Sequence, residues 1–98
     1  MTMGTRQVVL DTNVLVGLVD SQDSWHSAAV ALHHALKEAQ GSLVYFDCVI
    51  NEAISVLARR ARERKRVSEF SDLLTRLTSQ VPAEAIVWVS ADTRHLYR

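Results

Sequence analysis

Cysteine occurs once in this 98-residue chain, at Cys48, so no internal disulfide can form and a reducing, cytoplasmic setting is expected. No histidine lies near Cys48 in sequence, which favours a packed or inert thiol over a nucleophile. Proline also occurs once, at Pro82, and glycine only at Gly4, Gly17 and Gly41. That scarcity leaves no linker, repeat or low-complexity tract, so residues 1–98 read as a single domain. Apolar runs are short, none approaching the roughly 20 residues of a membrane span. No basic, then apolar, then small-residue leader is legible, and no membrane partner is expected. Neither sign of charge is in excess: eleven basic and eleven acidic residues give a net charge of zero. Global charge therefore argues neither for nor against a nucleic-acid partner. What remains is the composition of an ordinary globular domain, 48 % hydrophobic and 22 % charged.

The chain is organised around Val8-Val9-Leu10-Asp11-Thr12-Asn13-Val14-Leu15. A short, β-branched apolar run reads as a buried strand over residues 6–10. A second apolar run through Val19 reads as a helix over residues 12–20, with Thr12 and Asn13 suited to the turn between them. Asp11, the lone charge, stands at the strand's carboxyl end, where open α/β sheets place their chemistry. The plainer alternative is that Asp11 caps the helix.

A polar break at Ser21-Gln22-Asp23-Ser24 precedes a second helix over residues 25–39. Its apolar positions Trp25, Ala28, Ala29, Leu32, Ala35 and Leu36 recur at three and four, and Gly41 is expected to stop it. His33 and His34 read as solvated, and His26 as packed or locally hydrogen-bonded. Residues 43–46 form a second strand, with Asp47 the expected N-cap of a third helix. There Ile50, Ala53, Ile54, Leu57 and Ala61 make the buried stripe, while Glu52 lies off it in the first turn. Six of the eleven basic residues follow within eight positions: Arg59, Arg60, Arg62, Arg64, Lys65 and Arg66. A helix C-terminus favours two or three of them; the rest suit phosphate. Ser68 is the expected cap of a fourth helix with Phe70, Leu73, Leu74 and Leu77 on its buried face. After Pro82, Ile86-Val87-Trp88-Val89 reads as a third strand buried on both faces, and Ser90-Ala91-Asp92 as the start of another helix.

Strands alternating with helices predict a three-layer α/β/α domain with a central parallel sheet. Right-handed crossovers put all strand carboxyl ends on one edge, and with them Asp11 and the start of the Glu52 helix. Two carboxylates there, beside a basic loop, suit a hard cation such as Mg²⁺ or Mn²⁺. Asn13 could hold Asp11 or a coordinated water by hydrogen bond.

The Val8–Leu15 segment resembles the opening of PIN domains, the nuclease fold of VapC-type toxins in toxin–antitoxin pairs. The run Cys48-Val49-Ile50-Asn51-Glu52-Ala53-Ile54-Ser55-Val56-Leu57-Ala58-Arg59-Arg60 is similar to that family's second acidic helix, and Ser24-Trp25-His26 also fits. The resemblance implies Mg²⁺- or Mn²⁺-dependent cleavage of RNA, often tRNA or rRNA, and neutralisation by a cognate antitoxin. Asp11 and Glu52 match the family's first two metal-binding acids, and Asn13 the polar partner beside the first. The family's third and fourth acids lie beyond the helix that begins near Ser90. The resemblance therefore implies a domain whose C-terminal part is absent here, with half the acid set. Without a fourth strand one apolar sheet edge is expected to stay open, and such an edge invites pairing with another chain, so the fragment is expected to form a homodimer or to aggregate. The alternative is a catalytically inactive PIN-like fragment that binds protein or RNA. A dehalogenase-like phosphatase fits less well, because its acid–base position, two residues after the first Asp, is here Asn13. A receiver domain would need an acid pair before its first helix and a late Lys, neither of which is apparent.

Overall fold

The structure is a computed structural model that describes residues 7–89. The start at residues 1–5, the helix expected from Ser90, and Asp92 lie outside the described residues. The elements are β1 (Gln7–Val9), α1 (Thr12–Val19), α2 (His26–Glu38), β2 (Ser42–Phe46), α3 (Asp47–Glu63), α4 (Glu69–Gln80), a 3-10 turn at Ala83–Ala85, and β3 (Ile86–Val87). Together they make a compact α/β/α domain with a central three-stranded parallel sheet flanked by four helices. Strand order is β1-β2-β3, with Gln7 opposite Ser42, Val9 opposite Val44, Tyr45 opposite Ile86 and Phe46 opposite Val87.

Alternation along the strands divides the sheet into two faces. Leu43, Tyr45 and Ile86 point into the main core with Leu15, Val16, Val19, Ala53, Leu57, Leu73 and Leu77. In this core Leu15, Ala53 and Leu57 are wholly buried. The helical layer is continuous, since α1 touches α2, α3 and α4, and α3 touches α4. The opposite sheet face carries Val9 and Val87, which remain 47 % and 38 % exposed. The two faces are thus unequally covered among the described residues.

Several local expectations change. The third strand is two residues long, and Trp88 lies outside it, 70 % exposed, so it is not buried on both faces. Asp47 is the first residue of α3 rather than its cap. Its buried carboxylate instead accepts the Val89 backbone N–H at 3.0 Å, tying the end of β2 to the chain after β3. Ser68 has helical φ and ψ of −62° and −25°, and its hydroxyl makes no capping bond; a side-chain cap needs the extended conformation. The left-handed residue that ends α2 is Gln40, with φ of 59°, one position before Gly41. Gly41 N–H then closes the turn onto Leu36 O at 3.0 Å. Lys65, with φ of 57°, does the same for α3, with Arg66 N–H donating to Ala61 O at 2.9 Å.

Helix α2 packs on only one side of its broad apolar stripe. Ala29 is buried, with His26, His33 and Leu36 half-buried beside it, while Trp25, Ala28, Leu32 and Ala35 are exposed. Gly17 selects that face. A Cβ at Gly17 would meet Ala29 Cβ at 3.0 Å, so the missing side chain lets α1 and α2 approach. His33 is therefore not simply solvated. Its Nε2 accepts from Gln80 Nε2 of α4 at 2.8 Å, and burial, with the charges of Lys37 and His34, lowers its pKa below the ordinary 6.5. His34 stays on the surface beside Glu38.

Candidate metal centre and cleft

β1 hands the chain to Leu10, whose N–H donates to Val44 O at 3.2 Å, extending the β1–β2 pairing by one residue. Asp11 then leaves the sheet in an extended conformation, φ −87° and ψ 174°. Its Oδ1 accepts Val14 N–H at 3.1 Å, so Asp11 is the N-cap of α1. Capping engages one carboxylate oxygen; among the described residues no hydrogen bond engages the other. The capping role and an exposed acid at the strand end therefore coexist.

α3 begins at Asp47, so Glu52 falls in its second turn rather than its first. Thr12 Oγ1 donates to Glu52 Oε2 at 3.2 Å across 40 residues of sequence. The residue next to Asp11 thus touches Glu52, and the starts of α1 and α3 share one edge of the sheet. Thr12, not Asn13, makes this link; the hydroxyl was readable in the motif but carried no distinguishing signal. Asn13 is exposed and lines a cleft of about 780 Å³ between α1, α2 and α3. Thr12, Glu52, Trp25, Leu32, Arg59 and Arg60 also line that cleft, whereas Asp11 does not. Among the described residues no group of three or more His, Cys, Asp or Glu side chains converges as a metal site.

The basic run from Arg59 to Arg66 separates into two kinds of residue. Arg60 in the last turn of α3 and Arg64, its C-cap, point inward to Asp20, which is 2 % exposed at the end of α1. Arg60 Nη1 donates to Asp20 Oδ2 at 3.0 Å and to Asp23 Oδ2 at 2.6 Å. Arg64 spans both oxygens of Asp20 at 3.2 and 2.9 Å. Burial alone would push the Asp20 carboxyl up. The hydrogen bonds from Arg64, the Gln22 backbone and Arg60 outweigh it, leaving the pKa below the ordinary 3.8. Burial likewise opposes the Arg60 charge, and the bonds to Asp23 and Asp20 more than restore it. The other kind is surface charge. Arg59 lies 3.9 Å from Glu63 and Arg66 3.1 Å from Glu69, both in exposed pairs, and Arg62 and Lys65 are exposed. This four-residue network escaped the sequence reading, although Arg60 and Arg64 fall four apart and Asp20 directly follows an apolar run.

His26 Nδ1 donates to Gly17 O at 2.7 Å, a local bond that fixes the entry to α2. Cys48 is exposed. Compared with known families, with curated proteins and with solved structures, the chain matches none. No described helix is long and apolar enough to cross a membrane.

Proposed function

We propose that this chain is a PIN-type, Mg²⁺- or Mn²⁺-dependent ribonuclease, resembling VapC toxins, that hydrolyses RNA phosphodiester bonds. The observation that best supports the reading is the Thr12–Glu52 hydrogen bond, because it joins the two motif-bearing helix starts at the carboxyl edge of the sheet. The donor set suits a hard cation. Asp11 and Glu52 are exposed, and among the described residues each has one oxygen in a protein hydrogen bond and one outside any. These two side chains would hold the ion. When bound, such an ion supplies charge neutralisation at a phosphodiester and makes water a stronger acid. Around it the chain's own groups have separate tasks. The Asp11 cap and the Thr12 bond fix the two carboxylates to rigid helix starts. The Asn13 amide offers a donor to a phosphate oxygen, and Arg59, Arg62, Lys65 and Arg66 offer charge along an RNA backbone. By the same resemblance the substrate is tRNA or rRNA and a cognate antitoxin is the partner; an open sheet edge favours a homodimer, and the single cysteine suits a cytoplasmic setting.

A second reading starts from the motifs themselves, which contribute two acids, Asp11 and Glu52. On that reading the chain is a catalytically inactive PIN-like module that binds RNA or protein. Cleavage of tRNA and rRNA with added Mn²⁺ separates the two. We expect Mn²⁺-dependent cleavage that Asp11→Asn and Glu52→Gln each lower by roughly a hundredfold, because each removes one of the two negative charges that would hold the ion. RNA binding without cleavage would select the inactive module. Cleavage unchanged in both variants would overturn the proposed site.

A further inference from the structure

Trp25 is the most exposed large hydrophobic side chain lining the cleft, at 70 %. Exposure of so large an apolar ring is unfavourable in water, yet the backbone beneath it is unusually well tied. Trp25 N–H donates to Asp23 Oδ1 at 2.7 Å. The other oxygen of Asp23 is held by Arg60 at 2.6 Å. Asp23 N–H donates to Asp20 O at 3.0 Å, and Asp23 O accepts His26 N–H at 3.0 Å. On the far side Trp25 O accepts Ala29 N–H at 2.8 Å, and His26 is pinned to Gly17 O. The ring is therefore presented from a braced turn. Flat aromatic surfaces presented in this way stack on bases with little loss of freedom on binding.

We propose that Trp25 is a stacking platform for an unpaired base of single-stranded RNA bound in the cleft between α1, α2 and α3. This inference rests on the ribonuclease reading for its substrate class and extends it to a residue that contacts the base. The rest of the wall suits a nucleotide. Asn13 carries the donor and acceptor that a base edge pairs with. Arg59 is 62 % exposed and only loosely held by Glu63 at 3.9 Å, so its charge can turn to a phosphate. The Arg60 charge is instead balanced by Asp20 and Asp23, which its Nη1 bridges. Its part is to brace the turn that carries Trp25. Ala28 and Leu32 would also accept an apolar peptide, but the polar groups Thr12, Asn13 and Glu52 on the same cleft favour a ligand with both a ring face and hydrogen-bonding edges.

The test uses tryptophan emission in the Trp88→Phe protein, where Trp25 is the one remaining indole. Titration with a short oligoadenylate in EDTA, so that nothing is cleaved, should quench the emission. An abasic oligomer with the same number of phosphates should not. Followed by the fluorescence anisotropy of end-labelled oligomers, which needs no indole, Trp25→Ala should weaken oligoadenylate binding by roughly tenfold or more while leaving abasic binding unchanged; Trp25→Phe should keep most of the affinity. Melting temperature serves as the folding control. Absence of quenching, or equal affinities of the parent and Trp25→Ala for oligoadenylate, would overturn the proposal. Quenching by an acidic, leucine-rich amphipathic peptide but not by oligoadenylate would assign the surface to a protein partner and also overturn it. Base-dependent quenching in a chain that shows no Mn²⁺-dependent cleavage would sustain the platform and defeat the nuclease reading alone. Cleavage that persists while Trp25→Ala binds as the parent does would defeat the platform alone.

Discussion

Asp20 carries its charge where water is almost excluded, and it can do so because two arginines, 40 and 44 residues away in sequence, surround it. Breaking such a pair on one side leaves an uncompensated charge indoors. The arginine side chains are 30 % and 25 % exposed, so they can partly recover hydration. We expect Asp20→Asn to cost about 3 kcal/mol, the low end for a disrupted buried ion pair, measured by urea denaturation. The same group sets an acid limit. Its folded pKa lies below 3.8, so the folded state binds fewer protons than the unfolded chain. Its contribution is therefore complete above that value and is lost as pH falls through the folded pKa. The Asn variant should show a flatter decline of stability over that acid range. None of this follows from the sequence pattern, because a buried acid and a solvated one look alike until the arginines are placed beside it. Asp11 is the opposite case. Its position at a strand end is legible in residues 8–15, and so is its capping role.

Helices whose apolar stripe admits one solution are legible. On α3 the spacing of Ala53, Leu57 and Ala61 marks residues that are all buried. The stripe on α2 is broader and admits two solutions. Choosing between them requires knowing that Gly17 on another helix clears room for Ala29. Helix ends are harder still. The residue at the left-handed position is Gln40 in α2 and Lys65 in α3, neither of which signals a stop. Each adopts a conformation that costs an ordinary side chain about 1 kcal/mol relative to glycine. Lys65→Gly should therefore raise stability by about that amount, visible as a higher denaturation midpoint. It also removes one positive charge from the exposed part of the basic run. A loss of RNA affinity in this variant would then be attributable to charge, because the fold would be firmer rather than weaker.

At the scale of the molecule, each strand pairs with its neighbour in sequence, and β2 lies between the other two. Alternation of strands and helices was enough to anticipate the parallel α/β/α domain. The unequal cover of the two sheet faces was not legible, because strand composition does not record which side a helix takes. Strand order and the Asp20 network together bear on the timing of folding during synthesis. The unit from β1 through β2 ends at Phe46 and contains Asp20 and Asp23, but neither arginine. Before α3 has emerged from the ribosome, Asp20 has neither Arg60 nor Arg64 beside it and the core lacks Ala53, Leu57 and Ala61, so closing β1 on β2 gains little and any burial of the Asp20 carboxylate goes uncompensated. Arg64 therefore acts as a latch that arrives late, and the N-terminal half waits for the end of α3. A fragment ending at Phe46 should show no slowly exchanging amides, whereas one extended through Arg66 should begin to protect β1 and α1. Protection of the shorter fragment would show that the first strand pair closes without its counter-charge.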